Sequence, residues 1–247
     1  MWRARDPETP AGQGVSGTLP LAGLALVVGL WPVLVVHVTY GLSLHFDKVP
    51  ACVPYLDGCL SISAASRQEP AIHVFRLAML PFTALFALFW LGMAAWLRRL
   101  DPARGGMACW IALLGVTSAA FMALYATFLG TQGAVYELLR RYGVTVCFAF
   151  AYLAQLLLVA RLQQLADQGL ALPRFPLRLQ HGLCVGLLLA GLLSIPVQHF
   201  IDFNPLENVI EWNFALVLQI CYALNWPALR ATACALRLEV VVSSRSG

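Results

Sequence analysis

Apolar stretches of at least about 18 residues recur along this chain, the length a helix needs to cross a hydrocarbon layer of roughly 30 Å at 1.5 Å per residue. No soluble core could bury them: 60% of the 247 residues are hydrophobic and 11% charged, whereas soluble domains carry about 25% charged residues. The pattern predicts spans over 19–44, 73–97, 107–129, 142–162, 181–201 and 205–229. The expected fold is all-α, a polytopic six-transmembrane-helix bundle over 19–230, between a flexible N-terminus (1–18) and a tail (231–247). The first run exceeds a signal-peptide core of about 7 to 15 residues and ends without an Ala-x-Ala site, so it reads as an uncleaved helix.

Six spans place both termini on one side. On this drawing that side carries 11 basic residues and the other five, Lys48, Arg67, Arg76, Arg140 and Arg141. Cytoplasmic loops are the Arg- and Lys-rich ones, so both termini are expected in the cytoplasm. Trp96, Trp110 and Trp226 at inner ends, and Tyr40, Tyr142 and Trp212 at outer ends, suit an interfacial aromatic belt. Arg supplies 15 of the 16 basic residues, a codon-usage signature of a GC-rich, bacterial genome. In a bacterium the chain would occupy the inner (cytoplasmic) membrane, in a eukaryote an endomembrane or the plasma membrane.

Cys52 and Cys59 lie in the longest outer loop, where Pro54 and Gly58 can turn the chain back. Thiols outside the cytoplasm tend to oxidise, which favours a Cys52–Cys59 disulfide over a metal site needing more ligands than nearby His45. Ser61 and Ser63 read as turn or cap residues. In the connection between the third and fourth spans, Glu137 stands four residues before Arg141, a favourable helical pair that leaves Arg140 for a lipid phosphate.

Polar side chains inside spans need justification. Asn204-Pro205-Leu206-Glu207 is a capping-box variant that explains Glu207. Glu211 lies a turn deeper, beyond capping, where a buried carboxylate needs a cation or a proton; Arg76 sits at a similar depth, so an Arg76–Glu211 ion pair is the leading expectation. His37, His73, His199, Asp202 and Glu211 fall at one membrane level and include acid-base chemistry. The chain lacks a phosphate-binding Gly loop, a His-Glu-x-x-His helix, a Gly-x-Ser-x-Gly elbow and an aromatic-basic surface for nucleic acid. No metal, cofactor or nucleic acid is expected.

Leu60-Ser61-Ile62-Ser63 in the first outer loop, Phe75-Arg76 opening the second span and Glu211-Trp212 opening the last resemble, in that order, the DRAM/FRAG/Sfk family. This group includes autophagy modulators, the FGF-receptor-activating protein and GPI-anchor lipid-remodelling proteins with a CWH-type N-terminal domain. The topological likeness covers roughly residues 20–230. Its Ser-Ile-Ser element often follows Pro, where this chain has Leu60, a departure that touches the local loop conformation. The resemblance implies lipid-related work; GPI itself is not the expected substrate in a bacterium.

The first expectation is a lipid-interacting protein without catalysis of its own. Arg76, Arg140, Glu211 and His37 would hold a lipid headgroup or a membrane-protein partner. The second is an enzyme of lipid acyl remodelling using His199, His73, Asp202 or Glu211 as acid and base. A small transporter is the third, disfavoured because Gln155, Gln219 and Asn225 alone trace no obvious pathway.

Overall fold

The computed structural model describes residues 16–200 and 204–239, and the side chains of 20–194 and 205–234. Its long helices are α1 (Leu21–His45), α4 (Ala71–Leu100), α5 (Gly105–Phe128), α6 (Ala134–Asp167), α7 (Arg174–Phe200) and α8 (Asn204–Ala223). Short helices α2 (Pro54–Asp57) and α3 (Ile62–Ser66) fold the loop between α1 and α4, and α9 (Trp226–Ala231) follows α8 after a turn. Five helical segments among the described residues, in α1, α4, α5, α6 and α7, are long and apolar enough to cross a membrane. The chain is thus an integral, multi-pass membrane protein.

Four boundaries differ from expectation. α6 begins eight residues before the predicted 142 and α7 seven before 181. At 34 residues α6 exceeds the roughly 30 Å hydrocarbon layer by several turns, so its polar first turns continue the helix beyond the apolar part. The last predicted span, 205–229, divides into α8 and α9. The ends also carry structure: β1 (Ser16–Pro20) pairs antiparallel with β2 (Ala235–Glu239), in register Gly17 to Leu238. The Leu-Arg-Leu-Glu alternation at 236–239 is a half-buried strand pattern inside what reads as tail. Just beyond the ladder, the Leu21 N–H donates to Cys234 O at 3.2 Å, satisfying a donor left free at the start of α1.

The six long helices form a ring in which α1 packs on α4, α4 on α5, α5 on α6, α6 on α7, α7 on α8 and α8 on α1. Inside it Phe86, Phe89 and Trp90 of α4 surround Tyr222 of α8, with ring centroids 5.6 to 6.0 Å apart. α8 lies unusually close to α1 at Gly29, where a Cβ would stand 2.8 Å from both Ala223 N and Gln219 O. Such small residues let membrane helices approach and gain dispersion contacts. By contrast α6 and α8 scarcely touch, and the space between them is the molecule's main cleft.

Two inner features depart from the sequence reading. Arg161, counted there as a cytoplasmic loop charge, is buried and donates from Nε to Asp101 Oδ2 at 2.7 Å, while Nη1 donates to Gln164 Oε1 at 2.9 Å. Trp96 and Trp212, assigned to the interfacial belt, are also buried; Trp110 is exposed. Both of these indoles donate within the protein, Trp96 to Thr232 Oγ1 and Trp212 to Leu60 O.

Candidate functional site in the cleft between α6 and α8

The N-terminal end of α8 is fastened to the loop between α1 and α4. Asn208 Nδ2 donates to Gly58 O at 2.8 Å, Trp212 Nε1 to Leu60 O at 2.9 Å, and Asn213 Nδ2 to Tyr55 O at 2.9 Å. Gly58 is required there, since its φ is +58° and a Cβ would collide with Pro205 O. Cys52 and Cys59 bring their sulfurs together with Cα atoms 6.6 Å apart, within disulfide range. Tyr40 holds the same loop, its hydroxyl donating to Cys52 O at 2.9 Å and accepting from Cys52 N at 3.1 Å.

This fastening brings two of the family-like elements together. Ser61 caps α3, accepting from Ala64 N at 3.1 Å, as its expected role requires. The next residue, Ile62, borders a small cavity together with Glu211 and Trp212. Ser63 and Glu211 then border one cavity of about 830 Å³ with Tyr125, Glu137, Arg140 and Arg141, a size typical of small-molecule sites. Phe75 and Glu211 also border that smaller cavity, of about 60 Å³, with His37, Tyr55 and Trp212.

The expected Arg76–Glu211 pair does not form. Arg76 Nη2 donates to Leu129 O at 2.6 Å and to Thr131 Oγ1 at 3.1 Å. Consecutive helical residues point about 100° apart. With Phe75 buried in the core beside Glu211, Arg76 therefore turns toward the C-terminal end of α5. Leu129 is the C-cap there, and no basic residue stands in the last turn, so free carbonyls attract the guanidinium.

The pairing of the α6 arginines is also the reverse of that expected. Arg140, not Arg141, meets Glu137, at 3.6 Å between Nη2 and Oε1. Among the described residues the ion pairs are His73–Glu69, Arg140–Glu137 and Arg161–Asp101, so neither Arg141 nor Glu211 has an opposite charge within 4.0 Å.

Of the acid-base grouping, His37 and Glu211 border one small cavity. His73 is exposed and faces Glu69 at 4.0 Å. Asp202 and the side chain of His199 lie outside the described residues. His37 is held between Val33 O, 2.7 Å from Nδ1, and the Tyr55 hydroxyl, 3.2 Å from Nε2. A carbonyl only accepts, so neutral His37 carries its proton on Nδ1 and Tyr55 donates to Nε2. Burial raises the Tyr55 pKa, which keeps that phenol protonated. His37 thus positions Tyr55 against Trp212, whose ring centroids are 5.2 Å apart.

Below its polar rim the cleft becomes apolar. Phe148 and Phe214 border both the large cavity and a neighbouring one of about 300 Å³, lined further by Tyr152, Leu187, Leu188 and Leu192. Sequence reasoning identified Glu211 and Arg140 but missed Asn208 and Asn213, whose clustering around Glu211-Trp212 at a helix end was the available signal. Among the described residues no three His, Cys, Asp or Glu side chains gather as a metal site. No family model, curated protein or solved structure matches the chain.

Proposed function

We propose that this chain is a lipid-binding membrane protein of the DRAM/FRAG/Sfk type that holds a single lipid in the α6–α8 cleft and does not itself convert it. The observation that carries this reading is the graded lining of the cleft. Arg140, Arg141, Glu137 and Glu211 stand at one end, and Phe148 and Phe214, which also line the neighbouring apolar groove, at the other. That gradient matches a headgroup joined to acyl chains, and a soluble metabolite would have no use for the groove. The contacts made by Leu60–Ser63 and Glu211-Trp212 support the family likeness, since these short elements meet in space.

The proposal includes six crossings with both termini cytoplasmic. The β1–β2 ladder supports it, because ends that pair at one end of the bundle require an even number of crossings. With five long apolar helices, α8 and α9 supply the sixth.

Lipid retention tests the reading. Protein purified in mild detergent is expected to carry about one phospholipid per chain, and Thr145→Trp, which places a ring in the cleft from an exposed position, is expected to remove it. Equal retention by wild type and Thr145→Trp, both folded, would end the proposal.

A further inference from the structure

Resting on the lipid-binding reading, we propose that the lipid in the cleft is an ethanolamine phospholipid, its phosphate held by Arg140 and Arg141 and its primary ammonium by Glu211.

The two walls of the cavity carry unmatched charges of opposite sign. On α8, Glu211 has no cation within 4.0 Å among the described residues. A carboxylate at this depth calls for a cation, and Arg76, the nearest expected one, is committed to the end of α5. When ionised, Glu211 takes its counter-charge from whatever fills the cavity.

On α6, Arg141 has no carboxylate within 4.0 Å among the described residues, and Arg140 meets exposed Glu137 only at 3.6 Å. A guanidinium has five N–H donors, so one long contact leaves most of the Arg140 fork free, and two guanidinium groups bordering one cavity suit a phosphate.

The ligand must then present an anion to α6 and a hydrogen-bonding cation to α8 within one headgroup. Phosphoethanolamine does both. Phosphocholine carries the charge but no N–H for Glu211. Phosphoglycerol offers a hydroxyl without charge, and phosphoserine adds a carboxylate that Glu211 would repel. The Phe148-Phe214 groove argues for the lipid over the free headgroup.

Native mass spectrometry of the full chain, titrated with ethanolamine, choline and glycerol phospholipids of identical acyl chains, tests this. Wild type is expected to prefer the ethanolamine lipid about tenfold, the scale of one charge-assisted hydrogen bond. Glu211→Gln is expected to bring that ratio toward one, and Arg140→Gln with Arg141→Gln to weaken all three lipids.

Equal affinity of wild type for ethanolamine and choline lipids, or a preference that survives Glu211→Gln, overturns the headgroup assignment while leaving lipid binding standing. If no lipid binds wild type better than Thr145→Trp, the lipid-binding reading falls as well. Soluble phosphoethanolamine is expected to leave the bound lipid in place; displacement at concentrations comparable to the lipid's own would overturn the lipid as the source of the headgroup.

Discussion

Trp212 donates its indole N–H to the carbonyl of Leu60, 152 residues earlier in the chain, and this contact joins the N-terminal end of α8 to the loop before α3. The ring is 2% exposed and packs edge-on to Tyr40 and Tyr55. Trp212→Phe keeps most of the apolar area but leaves a carbonyl unsatisfied, which costs about 1–3 kcal/mol. Thermal unfolding in detergent is expected to show a lower midpoint for Trp212→Phe, together with faster proteolysis in the 52–61 loop.

Arg76 and Glu211 serve different partners, so their contributions are expected to be independent. In a double-mutant cycle with Arg76→Gln and Glu211→Gln, the stability losses should add within about 0.5 kcal/mol. A coupling well above that value would restore the ion pair that the Arg76 to Leu129 contact replaces.

Arg161 and Asp101 make the opposite case, a pair that acts as one unit. With both side chains less than a tenth exposed, removing either partner leaves a buried charge and is expected to cost about 3–5 kcal/mol. Asp101→Leu with Arg161→Met should recover most of that loss. Unfolding midpoints of the two single variants and the double variant check the relation.

Closing the loop between Cys52 and Cys59 stabilises by restricting the unfolded chain. For a loop this short the chain-entropy estimate is about 2.5 kcal/mol. Mass spectrometry under non-reducing conditions is expected to find the two cysteines linked. Cys59→Ser is expected to lower the unfolding midpoint to that of reduced wild type.

Much of the helical architecture was legible because apolar length alone carries it: α1, α4 and α5 begin within two residues of the predicted starts. The starts of α6 and α7 were not, because hydropathy reports where a helix leaves the hydrocarbon and not where its hydrogen bonding ends. Within the site, azimuth was not legible. One residue of helical phase separates Phe75, which borders a cavity with Glu211, from Arg76, which faces α5. The i, i+3 contact of Arg140 and the i, i+4 contact expected of Arg141 are similarly close in energy, and tertiary packing decides between them. The loop contacts of Asn208 and Asn213 depend on how the chain returns after about 150 residues, which local patterning does not encode.

The ladder between β1 and β2 makes the topology testable at two positions. Gly17 faces Leu238 across it, so Gly17→Cys with Leu238→Cys, in a background carrying Cys109→Ser and Cys234→Ser, is expected to cross-link within one chain on mild oxidation. In intact cells, an impermeant maleimide is expected to miss Gly17→Cys and to label Gln132→Cys in the exposed connection between α5 and α6. Both outcomes follow from an even number of crossings with cytoplasmic ends. Absence of the cross-link would remove the pairing that places α8 and α9 across the membrane. Labelling at residue 17 but not at 132 would invert the orientation, and with it the side from which Arg141 and Glu211 meet a lipid.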